Sequence, residues 1–342
     1  MDKYIYLKDC LKELNKYKYS LPIILGKDSN NDIHIKDLKD LKNILIVGYT
    51  GMGKSVFINS LLFTLIYTNS PDKFKFIFMD LMGGGDYYQL SNLPHLFNDR
   101  VICIPDEAIE ELKKCNKELE RREKSNVIQP SLLIVIDEFA DISLNYSEFS
   151  ELIQPLLERG NKVGIYLVLS TVNRFKETFS DEFKEGFNTR IVFATDKEHS
   201  KLIIGIEEGA LLEDRGEIIY KDMDSGEMER IQTPYIWEEE IMLLQKISKN
   251  PLEKIDISDM QGADTKTYSE EIDYFALYED AKRLTIENKK ASSSFLQRKL
   301  KIGYNHAARL IEKLEKDGIV SSASSVNQRR VLIDKYEEPI GK

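Results

Sequence analysis

The sequence predicts an α/β protein with a mostly parallel sheet, followed by a smaller helical domain that ends in two short strands. Three observations carry this expectation. From about residue 43 to 235, short apolar β-rich runs alternate with amphipathic helical patterns. A polar stretch at 248–267, rich in Asn, Pro, Ser, Asp, Gly and Gln, then breaks the apolar periodicity. Finally, 342 residues with 42% apolar content are enough for two or three domains at roughly 150 residues each.

The elements follow in chain order. Residues 1–40 form a short N-terminal segment in which the run Leu21–Leu25 precedes a polar hairpin turn, Asp28-Ser29-Asn30-Asn31-Asp32. The α/β domain spans 41–247, with strands expected at Asn43–Val47, Phe74–Met79, Ser131–Ile136, Gly164–Leu169 and Arg190–Ala194. Val56, Phe57, Leu61, Leu62, Leu65 and Ile66 recur at three- and four-residue spacing, a helical stripe directly after the first strand. Asp106–Ser125 is so rich in charge that it reads as a solvated outer helix, with Glu110 supporting Lys114 four residues on. Residues 248–267 read as a linker, and the last domain occupies 268–336.

Composition narrows the function. The chain carries 48 basic and 58 acidic residues, a net charge of −10, which argues against a simple nucleic-acid coat. The charge is segregated: 288–336 hold 11 Lys/Arg against 4 Asp/Glu, and 1–287 hold 36 against 52. A basic tail on an acidic body keeps a polyanionic partner in play. The three cysteines form no CxxC pair, which fits a reducing compartment. No apolar run approaches the ~18 residues of a membrane span. No signal-peptide core follows Met1-Asp2-Lys3 either, so the chain reads as cytoplasmic, with any membrane tether on another polypeptide.

Gly48-Tyr49-Thr50-Gly51-Met52-Gly53-Lys54-Ser55 fits G-x-x-x-x-G-K-[ST], between the strand Ile44–Val47 and the amphipathic helix. That context aims backbone N–H groups and a helix N-terminus at phosphate oxygens. Gly48, Thr50, Gly51, Met52, Gly53, Lys54, Ser55 and Val56 are therefore the expected nucleotide-binding residues. Lys54 would neutralise the β- and γ-phosphates of ATP, and Ser55 would ligate Mg²⁺. A second half-site is expected at Asp137-Glu138, where the run Leu132–Ile136 ends in two acids. An acid at the tip of a buried strand is costly without a task. Asp137 would support Mg²⁺, and Glu138 would polarise the attacking water.

Several motifs carry a family resemblance in order and spacing. They are Leu25-Gly26-Lys27-Asp28, the loop Gly48–Ser55, Phe76–Asp80, Leu93-Pro94-His95-Leu96, Val135–Asp141 and Gly164–Thr171. Near the end, Ile302-Gly303-Tyr304-Asn305 and Ala307-Ala308-Arg309 continue the match, which covers roughly 22–334. In these the chain resembles the FtsK/SpoIIIE DNA translocases. The resemblance implies a RecA-like P-loop NTPase motor followed by a winged helix. It also implies a homo-oligomeric ring, a hexamer, that hydrolyses ATP with Mg²⁺ to pull double-stranded DNA through its pore. A membrane-anchored or recombinase protein is the further partner it suggests. The first 40 residues correspond to a shortened α subdomain, as in an excised motor fragment or a stripped-down homologue.

The departures from the family pattern fall on coupling rather than on ATP binding. Ser170-Thr171-Val172-Asn173-Arg174 stands where the family has Ala-Thr-Gln-Arg-Pro, so Asn173 or Thr171 would serve in place of the γ-phosphate-sensing Gln. The family's trans-acting arginine falls on Asn161, leaving Arg159 or Lys162 to reach the neighbouring subunit. Leu81-Met82 and Gly83-Gly84-Gly85 replace the usual Pro-Lys after Asp80. By the same alignment Arg174, Lys184 and Lys197 are the pore residues expected to touch DNA phosphates.

Residues 271–335 read as a winged helix: helices Glu271–Asn288 and Ser292–Leu300, a third over Tyr304–Asp317 that Gly318 terminates, and the strands Ile319-Val320 and Val331–Ile333 around a wing. In the third helix Ala307, Leu310, Ile311 and Leu314 form an apolar stripe. The opposite face displays Asn305, Arg309, Glu312 and Lys316. Those types suit adenine, guanine and cytosine edges in a major groove. The resemblance places Asn305, Arg309 and Glu312 at the family's DNA-reading positions. Arg329 and Arg330 on the wing would hold phosphates.

His95 and His199 are too isolated for a metal site, and Trp237 is expected to pack on the motor body. The leading expectation is a DNA pump for chromosome segregation whose winged helix orients loading. A plasmid or conjugative transfer ATPase of the same superfamily is the alternative. A protein-secretion ATPase and a DNA-binding regulator with an ATPase switch are the more distant ones.

Overall fold

The computed structural model describes residues 5–81, 87, 90–98, 100–126, 128–172, 181–237, 240–241, 243–244, 256–260, 274–300, 307, 310–311, 313–315, 317–321 and 329–333. The chain divides into two compact units, one of 1–82 with 89–264 and one of 83–88 with 265–342.

The strands of the larger unit are β1 (Ile5–Tyr6), β2 (Pro22–Lys27), β3 (Ile33–Asp37), β4 (Ile44–Val47), β5 (Phe74–Asp80) and β6 (Ser131–Asp137). They continue with β7 (Ile165–Thr171), β8 (Thr189–Phe193), β9 (Glu217–Asp222), β10 (Met228–Gln232) and β11 (Pro234–Tyr235). Nine of them form one sheet in the order β3-β2-β10-β9-β8-β4-β7-β6-β5. The run β8-β4-β7-β6-β5 is wholly parallel. Every residue of β4, β6, β7 and β8 is buried. That is the signature of parallel strands covered on both faces, and it explains why their sequences are continuous apolar runs. The remaining four strands pair antiparallel, and the β2–β3 connection is the turn expected at 28–32. A hairpin not anticipated from the sequence, β9–β10, closes around Asp224-Ser225-Gly226.

Asn43, fully buried just before β4, is held by its side chain: Nδ2 donates to the carbonyls of Leu157 and Gly186 (2.9 Å each), and Oδ1 accepts from Leu167 N–H at 3.2 Å. β4 is thereby registered against β7 from its first residue. At the other end its C-terminus lies between those of β7 and β8, the switch point at which open parallel sheets place their ligands.

The charged helix, Pro105–Ser125, is not a solvated one. Ala108, Ile109, Leu112, Cys115 and Leu119 face the core, and Arg122 is fully buried in the same stripe. Its guanidinium donates to the carbonyls of Val163 (3.1 Å), Gly164 (3.3 Å) and Pro130 (2.8 Å) and pairs with Glu118 at 2.8 Å. The charges mark only the outer face of an amphipathic helix. Nor is all of 248–267 free linker. Ile257–Asp259 form a 3-10 turn, Met260 is buried, and Lys8 Nζ donates to its carbonyl at 2.5 Å. Trp237 stacks on Tyr6 and meets Tyr235 edge-on, beside the small parallel pair β1–β11.

In the smaller unit, helices Tyr274–Asn288 and Ser293–Leu300 enclose a core of Tyr278, Ala281, Ile286, Phe295 and Leu296 with Ala307, Leu310, Ile311 and Leu314. Gly318 takes φ +71° where the third helix ends, a left-handed cap suited to glycine. Ile319 N–H returns to Leu314 carbonyl at 2.8 Å. Val320 pairs antiparallel with Val331, closing the base of the wing.

Candidate nucleotide-binding site

The loop after β4 is tied to both neighbouring strands. Gly48 N–H donates to Thr171 carbonyl (3.4 Å) at the end of β7, and Tyr49 N–H to Ala194 carbonyl (2.9 Å) just past β8. Gly53 has φ +109° at the N-cap of the helix Lys54–Thr68, a conformation that a side chain would strain. The first-turn N–H groups of that helix have no intrahelical partner by geometry, the arrangement that suits an anion. Thr50 on its rim is exposed, whereas Gly51, Met52, Ser55 and Val56 are partly covered.

Lys54 is only 6% exposed. Its ammonium donates to Gly48 carbonyl at 2.9 Å and to Tyr49 carbonyl at 3.4 Å, and it lies 3.6 Å from Glu138 Oε1. Two strands away, β6 delivers Asp137 and Glu138. Asp137 accepts a hydrogen bond from the Ser170 hydroxyl of β7 and is buried. Glu138 adopts φ +55° and accepts from Val172 N–H at 2.9 Å. Burial raises its pKa above the ordinary carboxylate value; Lys54 opposes the shift and Asp137 reinforces it. Asp80, at the tip of β5, is in register with Asp137 and buried as well.

This donor set fits a magnesium nucleotide. Ser55 at the start of the helix and Asp137 at the end of β6 offer hard oxygens, and Mg²⁺ takes most of its remaining ligands from phosphates and water. Among the described residues no group of three or more His, Cys, Asp or Glu could hold a metal by itself. The sequence reading missed the contact at Val172. The position works through its backbone N–H, which any residue but proline supplies, so the side-chain change from the family pattern gave no signal. Thr171 is buried, its hydroxyl donating to Val172 carbonyl at 3.1 Å, and Asn173 lies outside the described residues.

The other expected site residues are scattered. Arg159 ends the helix Glu148–Arg159 and is paired within the chain, Nη1 reaching both Glu123 oxygens at 2.8 and 3.0 Å. Lys184, expected on a pore loop, is instead buried in the helix Asp181–Glu185. Lys197 is 69% exposed, lies 3.6 Å from Glu207 and borders an open groove of about 430 Å³ with Lys201 and Leu211. Arg174 lies outside the described residues.

In the smaller unit Asn305, Arg309 and Glu312 also lie outside the described residues. On its wing, Arg329 is not a free cation: Nε donates to Glu315 at 3.0 Å. Arg330 is exposed, its N–H bound to the Ser321 hydroxyl at 2.9 Å. His95 is buried, with Nε2 2.8 Å from Asn69 carbonyl and its pKa lowered by burial. His199 pairs with Asp196, which caps the helix Lys197–Ile204. Among the described residues no helix is long and apolar enough to cross a membrane.

Comparison with known proteins agrees with this geometry. Residues 11–129 match the model of the FtsK/SpoIIIE family, and 273–334 match that of the Ftsk gamma domain. The DNA translocase FtsK of Helicobacter pylori strain J99 is 30% identical over 96% of this chain and 42% of its own length. That of Rickettsia prowazekii is 29% identical over 95% and 52%, and that of Borreliella burgdorferi 32% over 92% and 43%. The chain thus spans about half the length of these curated relatives, or somewhat less. Among solved structures, the pCW3 conjugation coupling protein TcpA with ATPγS superposes with a TM-score of 0.61 at 19% identity, covering 73% of this chain and 74% of that one. The cytoplasmic domain of the Thermomonospora curvata type VII secretion ATPase EccC gives 0.60 at 21% identity, covering 69% and 32%. At those identities the likeness is one of fold: a P-loop ATPase built on a mostly parallel sheet.

Proposed function

We propose, from the premise that this chain belongs to the FtsK/SpoIIIE family, that it hydrolyses ATP to move double-stranded DNA. One observation supports this above the rest: Lys54 and Glu138 meet at 3.6 Å at the carboxyl edge of the parallel sheet. One would hold the phosphates and the other the attacking water. Gly48–Val56 cradle the triphosphate, and Lys54 trades its loop carbonyls for β- and γ-phosphate oxygens. Ser55 and Asp137 would hold Mg²⁺, which would supply charge neutralisation at the phosphates. Glu138 orients water and takes its proton, and the Val172 N–H fixes where that carboxylate can sit.

The working form in this reading is a cytoplasmic hexameric ring for chromosome segregation, partnered by a membrane-anchored or recombinase protein. Arg159 exchanges Glu123 for a neighbouring subunit's phosphate, Arg174 and Lys197 face the DNA, and the winged helix reads sequence through Asn305, Arg309 and Glu312 to orient loading.

The test is ATP hydrolysis with and without long duplex DNA, beside Glu138→Gln. Strong stimulation that the variant abolishes, while it still binds ATP, supports a translocase; displacement of a triplex-forming strand then reports movement. Hydrolysis indifferent to DNA would sink the proposal.

A further inference from the structure

The proposed chemistry leaves one turn beside the phosphate loop without a task. Residues 214–217 turn into β9, whose start lies at the carboxyl edge of the sheet because β9 runs antiparallel to β8, with Ile218 opposite Phe193. The turn is pinned on every side. Gly216 N–H donates to Met52 carbonyl at 2.8 Å, and Gly216 carbonyl accepts from both Thr233 N–H and its hydroxyl at 2.8 Å. Gln232 Nε2 donates to Arg215 carbonyl at 2.9 Å, and Glu217 N–H closes the turn on Asp214 carbonyl at 3.2 Å. The approach to the loop is as close as backbone allows: a Cβ on Gly53 would stand 3.1 Å from Gly216 N.

Arg215 is therefore an exposed, long cationic side chain on an immobilised backbone, one residue from the phosphate loop. Of the acids beside it in the chain, Glu213, Asp214 and Glu217, the last is engaged by Arg230 at 2.6 Å. The position along the bound nucleotide follows from the sheet order. Lys54, Glu138 and Val172 gather at β4, β6 and β7, so the γ-phosphate end points that way. The nucleoside must leave the loop on the opposite side, over β8 and β9, where Arg215 stands.

We propose that Arg215 is a base-recognition residue of the nucleotide site, its guanidinium stacking on the purine while the phosphates occupy Gly48–Ser55. Guanidinium suits this because it is planar, permanently charged and weakly hydrated, and its stacking on a π-face needs no fixed donor pattern. The inference rests on the ATP reading above.

Calorimetric titration of the full chain with ATP, ADP and inorganic triphosphate separates the two. Arg215→Ala is expected to weaken ATP and ADP roughly tenfold, the scale of a desolvated cation–π contact. Inorganic triphosphate should bind it as it binds the wild type, which also shows that the loop is intact. Arg215→Lys should fall between, since an ammonium does not stack as a plane. Equal weakening of all three ligands would make Arg215 a phosphate contact and overturn the assignment. So would unchanged ATP affinity, whether or not hydrolysis falls through a neighbouring subunit. If Lys54→Ala binds all three as the wild type does, the phosphate-loop reading itself has failed.

Discussion

Glu138 concentrates more physical cost than any other residue of the site. Its φ of +55° is a left-handed conformation on a non-glycine residue, and its carboxylate is mostly buried beside Asp137. Such positions persist where the surroundings over-determine them, at a strain of order 1–3 kcal/mol. Here Lys54 and the Val172 N–H do the holding. Glu138→Gln keeps the shape and removes the base. Nucleotide binding should survive while hydrolysis falls by about 10²–10⁴, measured by single-turnover assay. The pKa direction gives a second test. A carboxyl whose pKa is raised by folding binds more protons folded than unfolded, so its ionisation subtracts stability as pH rises past its unfolded value near 4.3. The Gln variant should therefore melt above the wild type at pH 7, and the gap should close as pH falls towards about 4.5. A gap that stays constant across that range would mean that Lys54 offsets the burial entirely. The site's side chains were legible in the sequence because the phosphate-loop spacing and the strand-end acids are local signals. The Val172 contact was not, since backbone groups leave no mark on residue type.

Among the elements, the strands show how far local pattern reaches. Runs such as Leu132–Ile136 announce central parallel strands because both their faces are covered. The hairpin β9–β10 was overlooked although Asp224-Ser225-Gly226 separates two β-rich runs. Its strand β10 alternates exposed and covered positions, a weaker signal than an unbroken apolar run. The helix Pro105–Ser125 misled in the opposite way, because counting its charges hid the stripe that ends in Arg122. That arginine joins four carbonyls contributed by 128, 130, 163 and 164 to Glu118, so it fastens the helix to the chain entering β6 and β7. Removing one partner of a buried charged network leaves the rest unpaired, at roughly 3–5 kcal/mol. Arg122→Ala should lower the unfolding free energy by that amount, read as a lower urea midpoint with an unchanged m-value. Arg122→Lys should not rescue it, because an ammonium cannot span a planar fork of acceptors. A near-normal midpoint for the Lys variant would show that the position needs only a charge.

At the scale of the whole molecule, the charge is divided between the two ends of the chain: 36 basic against 52 acidic residues over 1–287, and 11 against 4 over 288–336. The polar stretch at 248–267 is the sequence signal near the break between the two units at 264/265. The charge division instead falls inside the smaller unit, within the helix Tyr274–Asn288, and the packed turn at 257–260 needed tertiary structure to be seen. On the proposed reading, duplex DNA is drawn to the basic stretch 288–336, so affinity should depend steeply on salt. The wing offers a controlled test, because its two arginines differ in a way the sequence did not reveal. Arg330 is exposed, whereas Arg329 is paired with Glu315 at 3.0 Å. Each phosphate contact contributes about 0.9 to the slope of log K against log salt. Arg330→Ala should therefore flatten the slope by about one, measured by fluorescence anisotropy of a labelled duplex. Glu315→Gln should do the reverse: freeing Arg329 adds a phosphate contact and removes a repelling charge, so binding tightens and the slope steepens by about one. Arg329→Ala removes a cation already neutralised, and its slope should stay within a few tenths of the wild type. Parallel slopes for all three variants would place the DNA away from the wing, leaving the other proposed contacts to carry the interaction without it.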